Sequence, residues 1–379
     1  MADPEILISA GEASSDMYGA QLAKALRERT NAKLFGMGGP RMGEAGVELI
    51  ADYHEVAVVG ITEVLHKVPT VVRVQRHLAR EAVRRNASLG ILVDSPGTHL
   101  GVARRLKHHR IPVGYFIGPQ VWAWRAGRVR VVKRLVSRMV VIFPFEEKIY
   151  QDAGVPVGFV GHPLVDLVRP SMTREEFAAT HGLNPEPLIV ALLPGSRANE
   201  IAQHYPVLLD ACELLAREMH SIGGVQFVHV APLGLAAEVL ARCGDRPGLP
   251  IKRIRGQAYD ALASADCAII ASGTATIEAA LLGTPMVVIY RMARATAAIL
   301  RRMVRAPFLS MVNLIAERRV VPELIQDDCT PRAVAAHVRY LLETAEANDE
   351  MKTGLAEVRA KLGSGGAIER AAEIFARML

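Results

Sequence analysis

Two all-apolar runs, Cys267–Ala271 and Met286–Ile289, bracket a helix-like stretch in ADCAIIASGTATIEAALLGTPMVVIY, and no other part of the chain restricts the fold so tightly. Short uninterrupted apolar runs suit parallel strands buried on both faces. Between them, Ser272-Gly273-Thr274 breaks the first run and supplies hydroxyls for the free N–H groups of a helix start. Ile277 and Leu281 stand one turn apart on a buried stripe, and Gly283 followed by Pro285 stops the helix. The segment reads as a strand–turn–helix–strand unit. Its turn is a natural anion seat, because a helix start carries about half a positive charge and several unpaired donors. Glu278 lies one turn further along the same face, where a carboxylate can accept hydrogen bonds from a vicinal diol such as a ribose. A bound nucleotide and a capped helix with a solvated glutamate both fit this pattern.

The same alternation fills the rest of the chain. Strand-like runs at Ile6–Ser9, Lys33–Gly36, Gly90–Val93, Pro112–Ile117, Met139–Phe143 and Val157–Val160 are separated by helical patterns such as Asp16–Arg29. The pattern pauses around Gly161-His162-Pro163 and Arg169-Pro170, then restarts with a strand at Leu188–Leu193, a helix near Asn199–Met219 and a strand at Gln226–Ala231. Strands alternating with helices imply a parallel, doubly wound sheet. At 379 residues, half of them apolar, the chain is too long for one ordinary α/β core. The expected fold is therefore α/β, with two Rossmann-like doubly wound domains and a cleft between them. The first spans residues 1–168 and the second 169–363. Gly363-Ser364-Gly365-Gly366 sets off a last helix, about 364–379.

Ligands of open α/β sheets bind beyond the carboxyl ends of the strands, so the loops after strands hold the chemistry. Gly11-Glu12-Ala13-Ser14-Ser15-Asp16 is not a G-x-G-x-x-G fingerprint, which argues against a redox dinucleotide. Its serines and Asp16 can cap the next helix. Glu12 precedes them and would point a carboxylate into the cleft. Asp94, at the end of another apolar run, can have its pKa raised by burial or be held ionised by a neighbouring cation; either way it could take a proton from a sugar hydroxyl. It can equally open an Asp94-Ser95-Pro96-Gly97 turn. In Leu193-Pro194-Gly195-Ser196-Arg197 the glycine permits close backbone approach, Ser196 offers a hydroxyl and Arg197 a fork of donors for a diphosphate, with Glu200 placed to orient it. A plain turn with a surface arginine is the alternative. Arg255-Gly256-Gln257 could offer backbone groups to a base. No Asp-x-Asp occurs, so no metal-bridged diphosphate of that kind is expected.

The net charge of +6 is modest but clustered, which favours anionic partners. Trp122 and Trp124, on one face of an extended segment, suit a sugar or acyl chain, or simply close a core; Arg125 opens a dense basic run that continues to Arg138. No nucleic-acid-reading motif accompanies it. Residues 61–85 and 294–308 interleave apolar and basic residues as interfacial helices do. For 61–85, Pro69 interrupts what would be a plain core helix, so the reading favours an anionic membrane surface met by Val68, Val71 and Val72. No apolar run reaches the roughly 18 residues needed to span a bilayer, and the first residues lack a signal pattern. Four scattered cysteines imply reduced thiols and no zinc site.

Taken together, Gly11-Glu12-x-Ser14-x-Asp16, Gly39-Pro40-Arg41-Met42, Val121-Trp122-Ala123-Trp124-Arg125, Gly161-His162-Pro163-Leu164, Leu193-Pro194-Gly195-Ser196-Arg197 and Ser272-Gly273-Thr274-Ala275-Thr276-x-Glu278 resemble the lipid-A-disaccharide synthase family, in order and spacing over nearly the whole chain. The resemblance implies a GT-B fold, an acceptor-binding N-terminal half with the last helix packed back on it, and a nucleotide-sugar-binding C-terminal half. It implies inverting, metal-independent transfer of 2,3-diacylglucosamine from UDP to 2,3-diacylglucosamine 1-phosphate (lipid X), without a cofactor. Asp94 would be the base and Glu12 its helper. Ser196, Arg197 and the Ser272–Thr274 helix start would hold UDP, Glu278 its ribose, and Asn313 would approach the nucleotide. The location implied is cytoplasmic, peripheral on the inner membrane; a homodimer is left open. The alternatives are an enzyme like the UDP-sugar 2-epimerases and a non-catalytic nucleotide-sugar or lipid binder. Many family members carry Asp-Ala-Pro-Asp-Phe-Asn where this chain has Asp94-Ser95-Pro96-Gly97-Thr98-His99, so the second aspartate is absent.

Overall fold

The computed structural model describes residues 3–56, 61–119, 121, 127–184, 186–220, 223–236, 238–239, 246, 248–294, 296–297 and 306–379, with side chains from residue 67 onward in the helix that begins at Ile61. Trp122, Trp124 and Arg125, and the apolar side of the 294–308 segment, lie outside the described residues. The alternation read from the sequence is borne out as two parallel α/β units: Met1–Pro163 with Leu362–Leu379, and Leu164–Lys361. The first unit ends at Pro163 rather than residue 168, because Leu164–Leu167 forms a short helix that contacts the helix Thr274–Leu282.

The first unit holds seven parallel strands: β1 (Glu5–Ala10), β2 (Lys33–Gly38), β3 (Glu48–Asp52), β4 (Leu89–Val93), β5 (Val113–Phe116), β6 (Arg138–Val141) and β7 (Val157–Phe159). Their order is β3-β2-β1-β4-β5-β6-β7, so the chain leaves β1 towards one edge and returns to build the other half from β4. β1 and β4 pair with Ala10 opposite Val93, and the loops that begin at Gly11 and Asp94 therefore emerge side by side. This is the point where strand order reverses, the place in such sheets where ligands bind. β4 is wholly apolar and buried, and β1 is so over Ile6–Ile8 and at Ala10, with the buried polar Ser9 between, as two-sided coverage by helices requires. Of these helices, α1 (Ala13–Arg29) buries Leu22 and Leu26, α2 (Pro40–Glu44) is one short turn, α3 (Ile61–Arg84) contributes Val74, Leu78 and Ala82 to the core, and α4 (Pro96–His108) contributes Val102 and Leu106.

The last helix, Ala367–Ala376, belongs to this same unit. Phe375 packs against β5 at Gly114, where an added Cβ would fall 2.5 Å from the ring, and meets Phe116 edge-on at 6.5 Å. Burying such a ring contributes roughly 1.5–3 kcal/mol. Arg370 donates twice to the Val160 carbonyl, at 3.0 and 2.6 Å, and the His162 N–H donates to the Leu362 carbonyl at 2.9 Å. Gly161 has φ 82° and its missing Cβ would press on that carbonyl at 3.1 Å, so glycine is required where the two ends of the unit cross.

The second unit holds six parallel strands: β8 (Leu188–Leu193), β9 (Val225–Ala231), β10 (Ile251–Arg255), β11 (Cys267–Ala271), β12 (Met286–Tyr290) and β13 (Glu323–Ile325), in the order β10-β9-β8-β11-β12-β13. Here β8 and β11 flank the reversal, paired with Leu193 opposite Ile270. The helix Thr274–Leu282 follows β11, buries Ile277 and Leu281 and stops at Gly283, so the strand–turn–helix–strand order holds, but the expected hydroxyl cap does not form: the N-cap is Gly273, with no side-chain cap bond. The chain entering the unit is tied down by Asp260, which accepts from the Ser171 and Met172 N–H groups at 2.5 and 3.1 Å, and by a two-pronged Arg174–Asp266 pair at 2.9 and 2.8 Å.

Candidate active site

In the first unit the Gly11 loop and the Asp94 loop meet at the β1/β4 reversal. The Ser15 hydroxyl accepts the N–H groups of Gly11 and Glu12, at 3.0 and 2.8 Å, and donates to the Glu12 carbonyl at 2.8 Å, so the loop backbone is self-contained. Glu12 itself stays exposed. Gly11 allows the second loop to press in: a Cβ there would stand 2.6 Å from the Cβ and Oγ of Ser95. Asp94 and Ser95 are both left-handed, at φ 52° and 49°. For residues other than glycine this costs of order 1–3 kcal/mol each and persists only where the surroundings impose it. The Asp94 carboxyl is half-buried and its pKa is pushed up to about 6, first by desolvation and second by the negative charge of Glu12, against which the Ser95 N–H pulls down. A carboxylate poised near neutrality at a strand end is what proton abstraction from an alcohol requires. Gly97, in place of a second carboxylate, is exposed with open space around it.

Asp16 does something the sequence reading did not give it. It serves not the helix it sits in but α2: its carboxylate accepts from the N–H groups of Gly39, Arg41 and Met42 at 2.7, 3.2 and 3.2 Å. The first two motifs are therefore halves of one clamp. Three further residues of this region were missed, Ser9, His99 and Tyr115, which gather beneath the Asp94 peptide. Ser9 and Tyr115 come from other strands and have no local signal; His99 is only five residues beyond Asp94, but nothing in that spacing says its ring bonds the Asp94 carbonyl.

In the second unit, Ser196 and Arg197 leave β8 exposed to solvent, and Glu200 organises them. One Glu200 oxygen accepts from the Ser196 and Arg197 N–H groups at 3.1 and 3.3 Å, and the other from the Arg197 guanidinium at 3.0 Å. The arginine is thus oriented by a carboxylate, as its spacing predicts. A buried residue missed in the sequence, His204, holds the loop from below. Its Nδ1–H donates to the Pro194 carbonyl at 2.6 Å, and its Nε2 accepts from the Arg291 N–H beyond β12 at 2.8 Å. Burial lowers its pKa, which keeps the neutral ring that both bonds require.

Beside it, the loop after β11 leaves Gly273 and Thr274 exposed at the helix start. Ser272 is turned inward, donating to the Leu309 carbonyl at 3.1 Å. Glu278 is half-buried and has no hydrogen-bond partner among the described residues; desolvation alone pushes its pKa up to about 7. An under-solvated carboxyl without donors is a receptor for hydroxyls. Gln257, exposed and left-handed at φ 56°, starts the helix after β10. Asn313 departs from expectation. It is wholly buried, its amide donating to Val321 and Glu323 and accepting from the Val320 and Val321 N–H groups. All four side-chain bonds are used within the fold, so it holds the 320–323 segment, whose Glu323 in turn holds the Leu309 and Ser310 N–H groups, rather than offering that amide to a ligand.

On α3, Val68 is 47% exposed, Val72 is half-buried, and Val71 packs against the core. The helix is thus a core element in its second half, with an apolar and basic outer face near Lys67, Val68 and Arg73. No helix among the described residues is long and apolar enough to cross a membrane.

A family model described as lipid-A-disaccharide synthetase matches residues 6–376. A lipid-A-disaccharide synthase of Solibacter usitatus is 45% identical over 372 residues, covering 97% of this chain and 96% of that one. Among solved structures, the chain resembles UDP-GlcNAc 2-epimerase from Neisseria meningitidis bound to UDP-GlcNAc, with a TM-score of 0.66 at 14% identity over 98% of both chains. It also resembles the calicheamicin glycosyltransferase CalG4, with a TM-score of 0.61 at 15% identity over 100% of this chain and 99% of that one. At such identities the two structures speak for the GT-B fold alone. The full-length sequence match decides the question they leave, and the chain belongs to the lipid-A-disaccharide synthetase family.

Proposed function

We infer that the protein is a glycosyltransferase that moves 2,3-diacylglucosamine from its UDP-activated form to the 6-hydroxyl of 2,3-diacylglucosamine 1-phosphate, releasing UDP and a β-1,6-linked disaccharide 1-phosphate. The observation that carries this is the family match across residues 6–376, and three of the family's motifs, at Gly11, Leu193 and Ser272, stand at the ends of strands that flank a reversal of strand order. In the reaction the acceptor hydroxyl gives its proton to Asp94 while its oxygen bonds to the sugar's anomeric carbon. The bond from that carbon to the diphosphate breaks, and UDP leaves with the electron pair. One displacement inverts the anomeric centre. Glu12 keeps the Asp94 carboxyl basic by its charge. Arg197, Ser196 and the helix start at Gly273–Thr274 take up the charge that develops on UDP, with Glu200 aiming the arginine; these fixed donors stand in for a metal ion. Glu278 accepts the ribose hydroxyls, and Gln257 borders the base. The family resemblance assigns the acceptor to the segment that carries Trp122, Trp124 and Arg125.

The outer face of α3, with Val68 among basic residues, supports peripheral docking on the anionic cytoplasmic face of the inner membrane, where both acylated substrates would reside. Mass spectrometry of the products tests the reading. The disaccharide 1-phosphate and UDP are expected only when donor and acceptor are both supplied. Epimerised donor formed without acceptor, and no disaccharide, would replace transfer by epimerisation.

A further inference from the structure

Three buried side chains converge on the peptide that carries Asp94. Its carbonyl oxygen accepts from His99 Nδ1 at 2.7 Å and from the Tyr115 hydroxyl at 2.7 Å. The far side of the imidazole, Nε2, stands 2.9 Å from the Ser9 hydroxyl. Ser9, His99 and Tyr115 are each fully buried, and they come from β1, α4 and β5. A carbonyl can only accept, so Nδ1 carries the proton, and the neutral ring is left to accept the Ser9 O–H at Nε2. Burial holds the ring in that neutral state, with its pKa down at about 4. The tautomer is thus selected at both ends.

The target of these bonds is what gives them meaning. Asp94 and the residue after it lie in left-handed backbone that neither prefers. Relaxation to the ordinary strand or helix region would turn the Asp94 carbonyl away from both donors and swing the carboxyl with it. The geometry points to His99 and Tyr115 as positioning residues that lock the Asp94 peptide in its left-handed turn and so aim the carboxyl at the acceptor hydroxyl, with Ser9 fixing the tautomer of His99. This deepens the functional reading and rests on Asp94 being the base.

The experiment separates donor geometry from bulk. In His99→Asn the amide N–H sits as many bonds from the backbone as Nδ1 does, so the donor to Asp94 is kept while the reach to Ser9 is lost. In His99→Gln the donor moves one bond outward, towards Ser9. The Asn variant is expected to retain kcat close to the parent, and the Gln and Leu variants to lose about a hundredfold, the order expected for a misplaced reacting group. KM for the UDP-sugar and UDP affinity stay unchanged throughout. Tyr115→Phe keeps the ring and lowers kcat alone, which reads the second donor even where His99→Leu does not fold. In an Asp94→Asn background, His99→Gln costs nothing further, since there is no carboxylate left to aim.

Equal turnover of the Asn and Gln variants, or the same loss from His99→Gln with and without the Asp94 carboxylate, overturns the inference and leaves His99 a packing residue. Full turnover of Asp94→Asn alone removes the base reading itself. An inactive Asp94→Asn beside undisturbed His99→Gln and Tyr115→Phe defeats the positioning while sparing the base.

Discussion

The β1/β4 reversal of the first unit and the β8/β11 reversal of the second share a topology and differ in how they treat polar groups. In the first, the backbone is strained, the Ser15 hydroxyl is bonded to its own loop while that of Ser95 is buried without a partner among the described residues, and a carboxyl is brought into a poorly solvated place beside a second negative charge. In the second, a carboxylate is spent on orienting an arginine, a helix start is left open to solvent, and a half-buried glutamate has no donor among the described residues. One fold unit can therefore be tuned either to raise the basicity of a carboxyl or to leave donors and a carboxyl unengaged by the fold; under the proposed function these become the proton acceptor and the seat of an anion and a diol. The difference lies in which groups the loops satisfy internally.

The sharpest way to break this contrast is Asp94→Asn. It should lower kcat by about 10²–10⁴ while UDP affinity is unchanged, as measured by steady-state kinetics and calorimetry. Comparable loss of UDP binding would erase the division of labour between the two reversals. Arg197→Ala should act the other way, weakening UDP binding by roughly 10- to 100-fold, the range of a lost charge-assisted hydrogen bond; unchanged affinity would remove the arginine from the receptor. Smaller is the shift expected from Glu12→Gln. With Asp94 raised to about 6, turnover should fall as pH drops through that value, because the protonated carboxyl cannot accept. Removing the neighbouring negative charge makes ionisation easier, so the acid limb of kcat should move to lower pH. A limb that stays put would mean that Glu12 does not reach Asp94 electrostatically. Smallest is the proton balance of UDP binding. Glu278, near 7 when empty, is drawn to its ionised form by ribose hydroxyls, so binding near neutral pH should release a fraction of a proton and tighten as pH rises. Calorimetry in buffers of different ionisation enthalpy measures this; no proton release, or uptake, would take Glu278 out of the ribose site.

The unit around β11 was legible because every signal in it is local: an uninterrupted apolar run, a Ser-Gly-Thr break, a buried stripe, and Gly283 with Pro285 as the stop. β3 and β13 were not. Both are short edge strands, β3 largely exposed and β13 only three residues long, so neither carries the apolar run that marks a buried strand. Among site residues, Arg197 with Glu200 could be read because the partners are within one turn. The Asp16 clamp could not, since its acceptor and donors are 23 or more residues apart; His99 stands only five residues from Asp94, but its other partner, Ser9, is 90 residues away and Tyr115, the second donor to the Asp94 carbonyl, is on another strand. Asn313 misled for a related reason: its amide is occupied by Val320, Val321 and Glu323, contacts that exist only once the chain has turned back.

The helix Ala367–Ala376 completes the first unit although it is synthesised after the whole of the second. Until Phe375 covers Gly114 and Phe116, a nascent polypeptide carries the Asp94 loop on a sheet with a bare apolar flank. Translation must then run past the whole second unit, to residue 376, before the first unit is sealed. A ribosome that stalls inside the second unit releases a sticky fragment rather than a working one, fit for chaperones and proteases instead of for catalysis.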